Sequence, residues 1–130
     1  MNLLDKVSYW VELAEYDLET AKVMLKNKRL LYVGFMCHQT IEKITKGYFE
    51  KYKNTSAPYT HNISKISKEA GLYDSFNDEQ LDLIDLLDPM NVGTRYPQDK
   101  AKLEKSLTEE KCKKILEETE VLLEWIKNKL

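Results

Sequence analysis

The chain has 130 residues, of which 32% are charged and 42% hydrophobic, and its formal net charge is −2 at pH 7. This length predicts one domain over residues 1–130, and folding at this size buries about two thirds of the surface of the unfolded chain. The composition argues against a disordered chain. The net negative charge excludes an overall positive potential that would attract nucleic acid, although a local basic patch is still possible.

The cysteines and the apolar stretches bear on the compartment. Cys37 and Cys112 lie far apart without a Cys-x-x-Cys motif, which favours buried, reduced thiols over a disulfide. The first ten residues lack a basic start followed by an apolar run, so no signal peptide is expected. The longest uncharged stretch, residues 30–41, is shorter than the about 20 apolar residues of a membrane-spanning helix. These features predict a cytoplasmic protein without membrane contact.

A long first helix is predicted over residues 3–27. Apolar side chains recur there at spacings of three and four, which places them on one helical face. They are Leu4, Val7, Val11, Ala14, Leu18, Ala21 and Leu25. After the turn "KNKRL", residues 31–53 predict a second helix with its own core face. That face consists of Val33, Met36, Cys37, Thr40, Ile41, Ile44 and Tyr48. Such faces suit helices that cross at a shallow angle in a bundle.

A mixed aromatic and polar band lies beside the core face of the second helix. Its members are Tyr32, Phe35, Gln39, Lys43 and Lys46. Core packing alone does not require such a band. His38, on the opposite side from the core face, is expected to be exposed.

The second half of the chain predicts shorter helices. Residues 53–62 are predicted to form a polar loop. Thr60, near its end, is expected to cap a short third helix that ends at Gly71. Asn77 with Gln80 is typical of a capping box at the start of a fourth helix, which Pro89 ends. A loop is expected from there to about residue 105.

The final helix has two candidate caps, Ser106 with Glu109 or Thr108 itself. Its apolar residues again recur at three and four: Cys112, Ile115, Leu116, Thr119, Leu122, Leu123 and Ile126. No alternating segment indicates a strand. The sequence therefore predicts an all-α, up-and-down four-helix bundle with a short additional helix.

Four short motifs occur in order along nearly the whole chain. The first, "YWVELAEYDLETAKVML", carries Trp10, Ala14, Asp17, Leu18 and Ala21. The second, "CHQTIEKITKGYF", carries Gln39, Glu42, Lys43 and Lys46. The third is "THNI" at 60–63, and the fourth is "TRYP" at 94–97.

Together these motifs resemble the HEPN family, helical nucleotide-binding domains of higher eukaryotes and prokaryotes. The resemblance implies a bundle similar to the helical domain of antibiotic nucleotidyltransferases.

This chain departs from the family pattern at His38, Thr40 and Asn62, where Gln, Ala and Asp are usual. Ribonuclease members carry an arginine followed, after four to six residues, by a histidine. Here Lys100, Ala101 and Lys102 occupy those positions after Arg95, so the nuclease pair is absent.

The candidate binding residues are Arg95, Tyr96, Gln39, Lys43, Lys46 and His61. Arg95 and Tyr96 have two interpretations. In the functional one, Arg95 binds a phosphate and Tyr96 stacks on a base. In the structural one, Arg95 caps a helix or pairs with Asp17, and Tyr96 packs over the end of the bundle.

The remaining candidates have alternatives of their own. The strip of Gln39, Lys43 and Lys46 either faces a phosphate or is solvated, with Glu42 and Glu50 as salt partners. His61 is expected to anchor the loop through a backbone hydrogen bond. The spacing of the histidines and cysteines predicts no metal site, and no cofactor motif is present.

Three functions remain open. The first is a non-catalytic nucleotide- or phosphate-binding module, which the resemblance implies to be the partner of a minimal nucleotidyltransferase in a toxin–antitoxin-like pair. The second is a metal-independent, toxin-like ribonuclease that uses Arg95 with His38 or His61 as an unusual base. The third is a purely structural homodimer in which Tyr32, Phe35 and Tyr96 cover one another across a two-fold axis. A homodimer is compatible with either of the others.

Overall fold

The computed structural model describes residues 2–93 and 97–130, and all regular structure within them is helical. The elements in chain order are α1 (Leu3–Lys26), α2 (Leu30–Lys53), α3 (Ile63–Glu69), a short 3-10 helix (Tyr73–Ser75), α4 (Asp78–Leu87), α5 (Met90–Gly93), α6 (Pro97–Ser106) and α7 (Glu109–Lys127). The predicted all-α bundle is confirmed. None of the described helices has the length and apolar character needed to cross a membrane.

Side-chain caps mark the starts of α1, α3, α4 and α7. Asn77 and Gln80 form the predicted capping box of α4, and Thr108, of the two candidates, caps α7 by accepting from the backbone N–H of Lys111 at 3.1 Å. The expected cap of α3 is wrong. Asn62, not Thr60, accepts from the backbone N–H of Lys65 at 2.9 Å. Asn62 directly precedes the first helical residue, and this is the position from which a short side chain reaches the third N–H of the first turn.

The segment predicted as a loop up to residue 105 contains two helices, α5 and α6. Pro97 is the first residue of α6, a position that suits its fixed φ and its missing N–H. Lys100 and Glu104 form an i,i+4 pair at 3.7 Å. Leu103 packs against the core, and Leu107, just beyond the helix, is buried. The loop prediction was wrong because two leucines are too few to give a periodic stripe in a polar segment.

α2 is the central helix and contacts each of the other α-helices that the structure describes. Its predicted core face is confirmed at Val33, Cys37, Ile41 and Ile44, all fully buried. Burial continues around most of the remaining circumference. α1 approaches closely at Gly47, where a Cβ would lie 3.1 Å from that of Trp10. A helix enclosed in this way has almost no solvated face, and its polar residues must find partners inside the protein.

The α1 stripe is confirmed in its central part, where Val7, Ala14, Leu18 and Ala21 are buried. Leu4, predicted as its first member, is 75% exposed. The buried stripe therefore begins one turn later than the sequence indicates.

Candidate functional site: the polar band of α2

The polar band of α2 consists of Gln39, Glu42, Lys43 and Lys46. At 100° per residue these four side chains share about one third of the helix circumference. Their contacts reach three other parts of the chain: α1, the loop between α2 and α3, and α5. The band is thus a junction between elements and not a solvated face.

Lys43 connects the band to α1. Its ammonium group donates to a carboxylate oxygen of Asp17, a residue that is only 6% exposed. The expected salt partners of this strip were Glu42 and Glu50; for Lys43 that expectation is wrong. α1 packs alongside α2 and presents Asp17 at the height of Lys43, so an acid from the neighbouring helix takes the place of one from the same helix.

Glu42 is the centre of the band. Its carboxylate accepts from Lys46 Nζ at 3.1 Å through one oxygen, and its other oxygen lies 3.0 Å from Nδ1 of His61. Glu42 and Lys46 are 3% and 8% exposed, respectively, and the Lys46 ammonium lies 5.8 Å from the ring centroid of Trp10. Two nitrogen-bearing side chains therefore share one buried carboxylate.

His61 differs from its expected role in one respect. It does anchor the loop to α2, but through the Glu42 carboxylate and not through a backbone group. Its side chain is 44% exposed. Since Nδ1 faces Glu42, the carboxylate fixes the ring orientation while part of the ring remains accessible to solvent.

His38, expected to be exposed, is fully buried. Its Nδ1 lies 3.8 Å from Glu42 and its Nε2 4.0 Å from Asp88. Neither nitrogen has a hydrogen-bond partner of normal geometry among the described residues. Burial lowers the pKa of His38, and the carboxylates of Glu42 and Asp88 and the backbone of His61 oppose that effect only in part. The prediction was wrong because α3 and α4 cover the side of α2 that its apolar pattern leaves unassigned.

Asp88 connects this buried histidine to the start of α3. Its carboxylate accepts from the backbone N–H of Ile63 at 2.8 Å and from the Ser64 hydroxyl at 2.8 Å. A residue at the end of α4 therefore stabilises the first turn of α3, next to His61 and Asn62 in the chain.

Gln39 connects the band to α5. Its amide nitrogen donates to the side-chain oxygen of Asn91 at 3.4 Å, a long hydrogen bond. Asn91 is buried and belongs to α5, which is followed in the sequence by the "TRYP" motif. Arg95 and Tyr96 of that motif lie outside the described residues.

The cysteines and acids do not form a metal site in the described part of the chain. Cys37 and Cys112 are buried free thiols, as predicted, and burial raises the pKa of the Cys37 thiol to about 12. Within residues 2–93 and 97–130, no group of three or more histidine, cysteine, aspartate or glutamate side chains has an arrangement that could hold a metal ion.

The structure brings four of the six predicted site residues, Gln39, Lys43, Lys46 and His61, to one region around Glu42. Sequence reasoning gave Glu42 only the part of a salt partner and missed the burial of His38. A signal for both was available: His38, Glu42 and Lys46 are spaced four apart, which places them on one side of α2. Nothing in the sequence pointed to Asp88, because its contacts are with a segment 24 or 25 residues away.

The fold and the polar band define a helical-bundle module whose central helix carries a buried ionic network. The model of the HEPN domain family matches residues 7–129 of the chain. The chain belongs to the HEPN domain family, and membership supports a helical module related to nucleotides or RNA.

Among solved structures, the chain is similar to one described as the crystal structure of TT1696 from Thermus thermophilus. The TM-score is 0.80 at 18% sequence identity, and the match covers 96% of this chain and 98% of the other. At this identity the likeness concerns the fold alone. No curated protein matches the chain.

Proposed function

We propose that the protein is a non-catalytic nucleotide- or phosphate-binding module. In this proposal Arg95 binds phosphate oxygens and Tyr96 stacks on the base. Gln39, Lys43, Lys46 and His61 supply the polar groups of the same site.

The observation that carries the proposal is the ionic network of the polar band. Glu42 and Lys46 are almost fully buried in a bundle of only 130 residues. A buried ion pair is often no more stable than well-packed apolar residues of similar volume, so stability alone does not account for retaining one. Strongly interacting buried charges occur frequently at functional sites.

The members of the band have different parts in this proposal. Lys43 and Lys46 each have a carboxylate partner, so they hold the band in place and contribute little free positive charge. His61 is accessible, and Gln39 contacts the helix that precedes Arg95 in the sequence. Arg95 and His61 are therefore the residues that we assign to direct contact with the ligand.

Calorimetric titration with ATP tests the assignment. Loss of a charge-assisted hydrogen bond to a phosphate weakens binding by about ten- to a hundred-fold, and we expect this result for Arg95→Ala. His61→Gln should weaken ATP binding less, because its imidazole contacts the ligand from the rim of the band.

The matched control is Lys113→Ala. Lys113 is an exposed cation on α7 that pairs with Glu109 at 3.9 Å, and its removal changes the net charge by the same amount as Arg95→Ala. Equal ATP affinities in wild type, Arg95→Ala and Lys113→Ala would contradict the proposed role of Arg95.

We also propose a minimal nucleotidyltransferase as the protein partner. The chain has no Gly-Ser followed by a paired Asp-x-Asp, the pattern that would supply metal-binding carboxylates for nucleotidyl transfer. The purified protein alone should transfer no nucleotide, and robust transfer without a partner refutes this proposal. An adjacent reading frame encoding a nucleotidyltransferase would support it.

A second candidate function is metal-independent RNA cleavage, and the Glu42–His61 contact at 3.0 Å favours it. A carboxylate that orients one imidazole nitrogen leaves the other available as a general base. His61 would take the proton of a ribose 2′-hydroxyl. The 2′-oxygen then bonds to phosphorus, the bond to the 5′-oxygen breaks, and that oxygen takes a proton from solvent water, while His61 returns its proton to solvent. Arg95 would stabilise the charge on phosphorus-bound oxygens.

RNA incubated with the protein and excess EDTA separates the two candidates. The ribonuclease predicts cleavage by wild type and none by His61→Gln, whereas the binding module predicts intact RNA with both proteins.

We propose a homodimer as the oligomeric state, formed through aromatic side chains near the start of α2. Tyr32 is 47% exposed and Phe35 is half-buried; Tyr96, the third residue assigned to this contact, lies outside the described residues. Light scattering at increasing protein concentration tests this proposal, and a strictly monomeric species at high concentration contradicts it.

A further inference from the structure

A separate cavity lies where the turn between α1 and α2 meets α6. Its volume is about 320 Å³. The buried side chains of Leu31 and Leu107 contribute apolar lining. The cavity lies among residues that none of the four sequence motifs includes, and its described lining contains none of Gln39, Glu42, Lys43 and Lys46.

The charges around this cavity are mainly positive. Lys28 and Arg29 line it from the turn, and Lys100 lines it from α6. Glu104, 3.7 Å from Lys100, is the one carboxylate among the described lining residues. The described lining residues, three cations and one anion, carry a net charge of +2, on a chain whose overall charge is −2.

Among the described lining cations, Lys28 and Arg29 are the two without a carboxylate partner in the described part of the chain. Neither forms an ion pair with any carboxylate in the part of the chain that the structure describes, and both are exposed. Lys28 also has a backbone φ of 58°, which lies in the left-handed region that residues other than Gly and Asn rarely adopt. The turn therefore places a lysine where local conformation disfavours one.

Tyr32 adds an aromatic surface to the same cavity. It lies in the first turn of α2, three residues after Arg29, and its side chain is 47% exposed. An accessible tyrosine ring next to cations provides both interactions that a nucleotide needs, base stacking and phosphate binding.

We infer that this cavity is a second ligand site, specific for a nucleoside phosphate. Lys28, Arg29 and Lys100 hold the phosphate groups, and Tyr32 stacks on the base. A cavity of about 320 Å³ is at the lower end of the range for small-molecule sites. This size suits a mononucleotide. The inference stands independently of the function proposed for the polar band.

Calorimetric titration of the Arg95→Ala protein with ADP reports mainly on this cavity, because the substitution is expected to weaken the site proposed at the polar band about ten- to a hundred-fold. Adenosine and inorganic pyrophosphate serve as separate probes for the stacking and the phosphate contacts. We expect ADP to bind more tightly than either probe, because only ADP uses both sets of contacts. Raising the salt concentration from about 0.05 to about 0.3 M should weaken binding of ADP and pyrophosphate but not of adenosine.

Two variants in the same Arg95→Ala background test the named residues. Lys28→Ala/Arg29→Ala should weaken ADP binding by about ten-fold or more through the loss of charge-assisted contacts to phosphate. Tyr32→Ala should weaken ADP binding by about ten-fold, the size of one lost base–aromatic stack, and should leave pyrophosphate binding unchanged.

The matched control is Lys111→Ala/Lys114→Ala, which removes two exposed lysines from α7 and thus the same net charge. It should bind ADP like its parent. Thermal melts establish that each variant is folded. Since a dimer that covers Tyr32 would compete with the ligand, the titrations use a concentration at which light scattering detects only the monomer.

Several results would overturn the inference. One is equal affinity for ADP of the Lys28→Ala/Arg29→Ala variant and of the Lys111→Ala/Lys114→Ala control. Another is pyrophosphate binding as tight as ADP, which would make this a simple anion site without a role for Tyr32. A third is an oligoribonucleotide that binds through Lys28 and Arg29 while ADP does not, since the turn would then be an RNA-binding surface.

Discussion

His38 and Glu42 lie one turn apart on α2, and Nδ1 of His38 is 3.8 Å from a carboxylate oxygen of Glu42 in the protein interior. The histidine ring has no exposed surface and the glutamate almost none. Glu42 already has two closer partners, Lys46 and His61. The Glu42 carboxylate is thus already paired with Lys46 and His61, and His38 is buried in its neutral form.

The pH dependence of stability should reflect this neutral histidine. The pKa of His38 is lower in the folded protein than in the unfolded chain, so between the two values the unfolded chain binds the additional proton. The contribution of His38 to stability is complete above the unfolded value of about 6.5 and is lost as the pH falls toward the folded value.

Urea unfolding of wild type and His38→Leu at pH 7.5 and pH 5.5 measures this contribution. Wild type should lose more stability than the variant on acidification, because leucine does not titrate. If the two proteins lose the same free energy of unfolding, the histidine is not buried in its neutral form.

Removing the charge of Glu42 should strongly destabilise the protein. Glu42→Gln leaves the buried ammonium of Lys46 without a counter-charge, and breaking a buried pair in this way costs about 3 kcal/mol or more. The control is Glu120→Gln, which removes the half-exposed partner of Lys22 at 3.1 Å and should change stability by about 0.5 kcal/mol or less. Equal effects of both variants on urea unfolding would show that Lys46 has access to water.

Asp88 should contribute to stability as a cap of α3. Asp88→Ala removes the acceptor for the Ile63 N–H and the Ser64 hydroxyl, which we expect to cost about 2 kcal/mol. Asp85→Ala, an exposed acid on the same helix, serves as the control and should have little effect. Hydrogen exchange adds a local test: amides of α3 should exchange faster in Asp88→Ala, and unchanged protection there would argue against the cap.

The two cysteines should be unreactive in the folded protein. The Cys37 thiol is fully buried and its pKa is raised to about 12 by desolvation, so almost none of it is thiolate at neutral pH. A chromogenic disulfide reagent at pH 8 should react slowly with native protein and rapidly with both thiols in urea. Fast reaction of one thiol per chain under native conditions would mean that Cys37 or Cys112 is accessible.

Local sequence patterns predicted most of the architecture. The spacing of three and four in the first, second and last helices depends only on helix geometry, and these helices occur close to where the pattern begins and ends. The capping box at Asn77 and the helix end at Gly71, whose φ is 77°, are likewise local. α6 was missed because its contacts with the core depend on two leucines, which carry no periodicity.

Spacing predicted the strip of polar side chains on α2 but not the contacts that its members make. Gln39, Lys43 and Lys46 could be placed on one strip from spacing alone. That Lys43 meets Asp17, and that His61 meets Glu42, depends on elements brought together from distant parts of the chain. A sequence gives the angle of a residue on its own helix; it does not give the neighbours that cover that angle.

The sequence by itself determined that this chain is a helical bundle and, through its ordered motifs, the family to which it belongs. Only the tertiary structure decided that α2 is surrounded by other helices, and therefore that His38 is buried, that Glu42 joins Lys46 to His61, and that the turn at Lys28 meets α6. The physical reason is the range of the interactions. Periodicity and capping act within a few residues, whereas burial and charge pairing depend on which distant segments fold against each other.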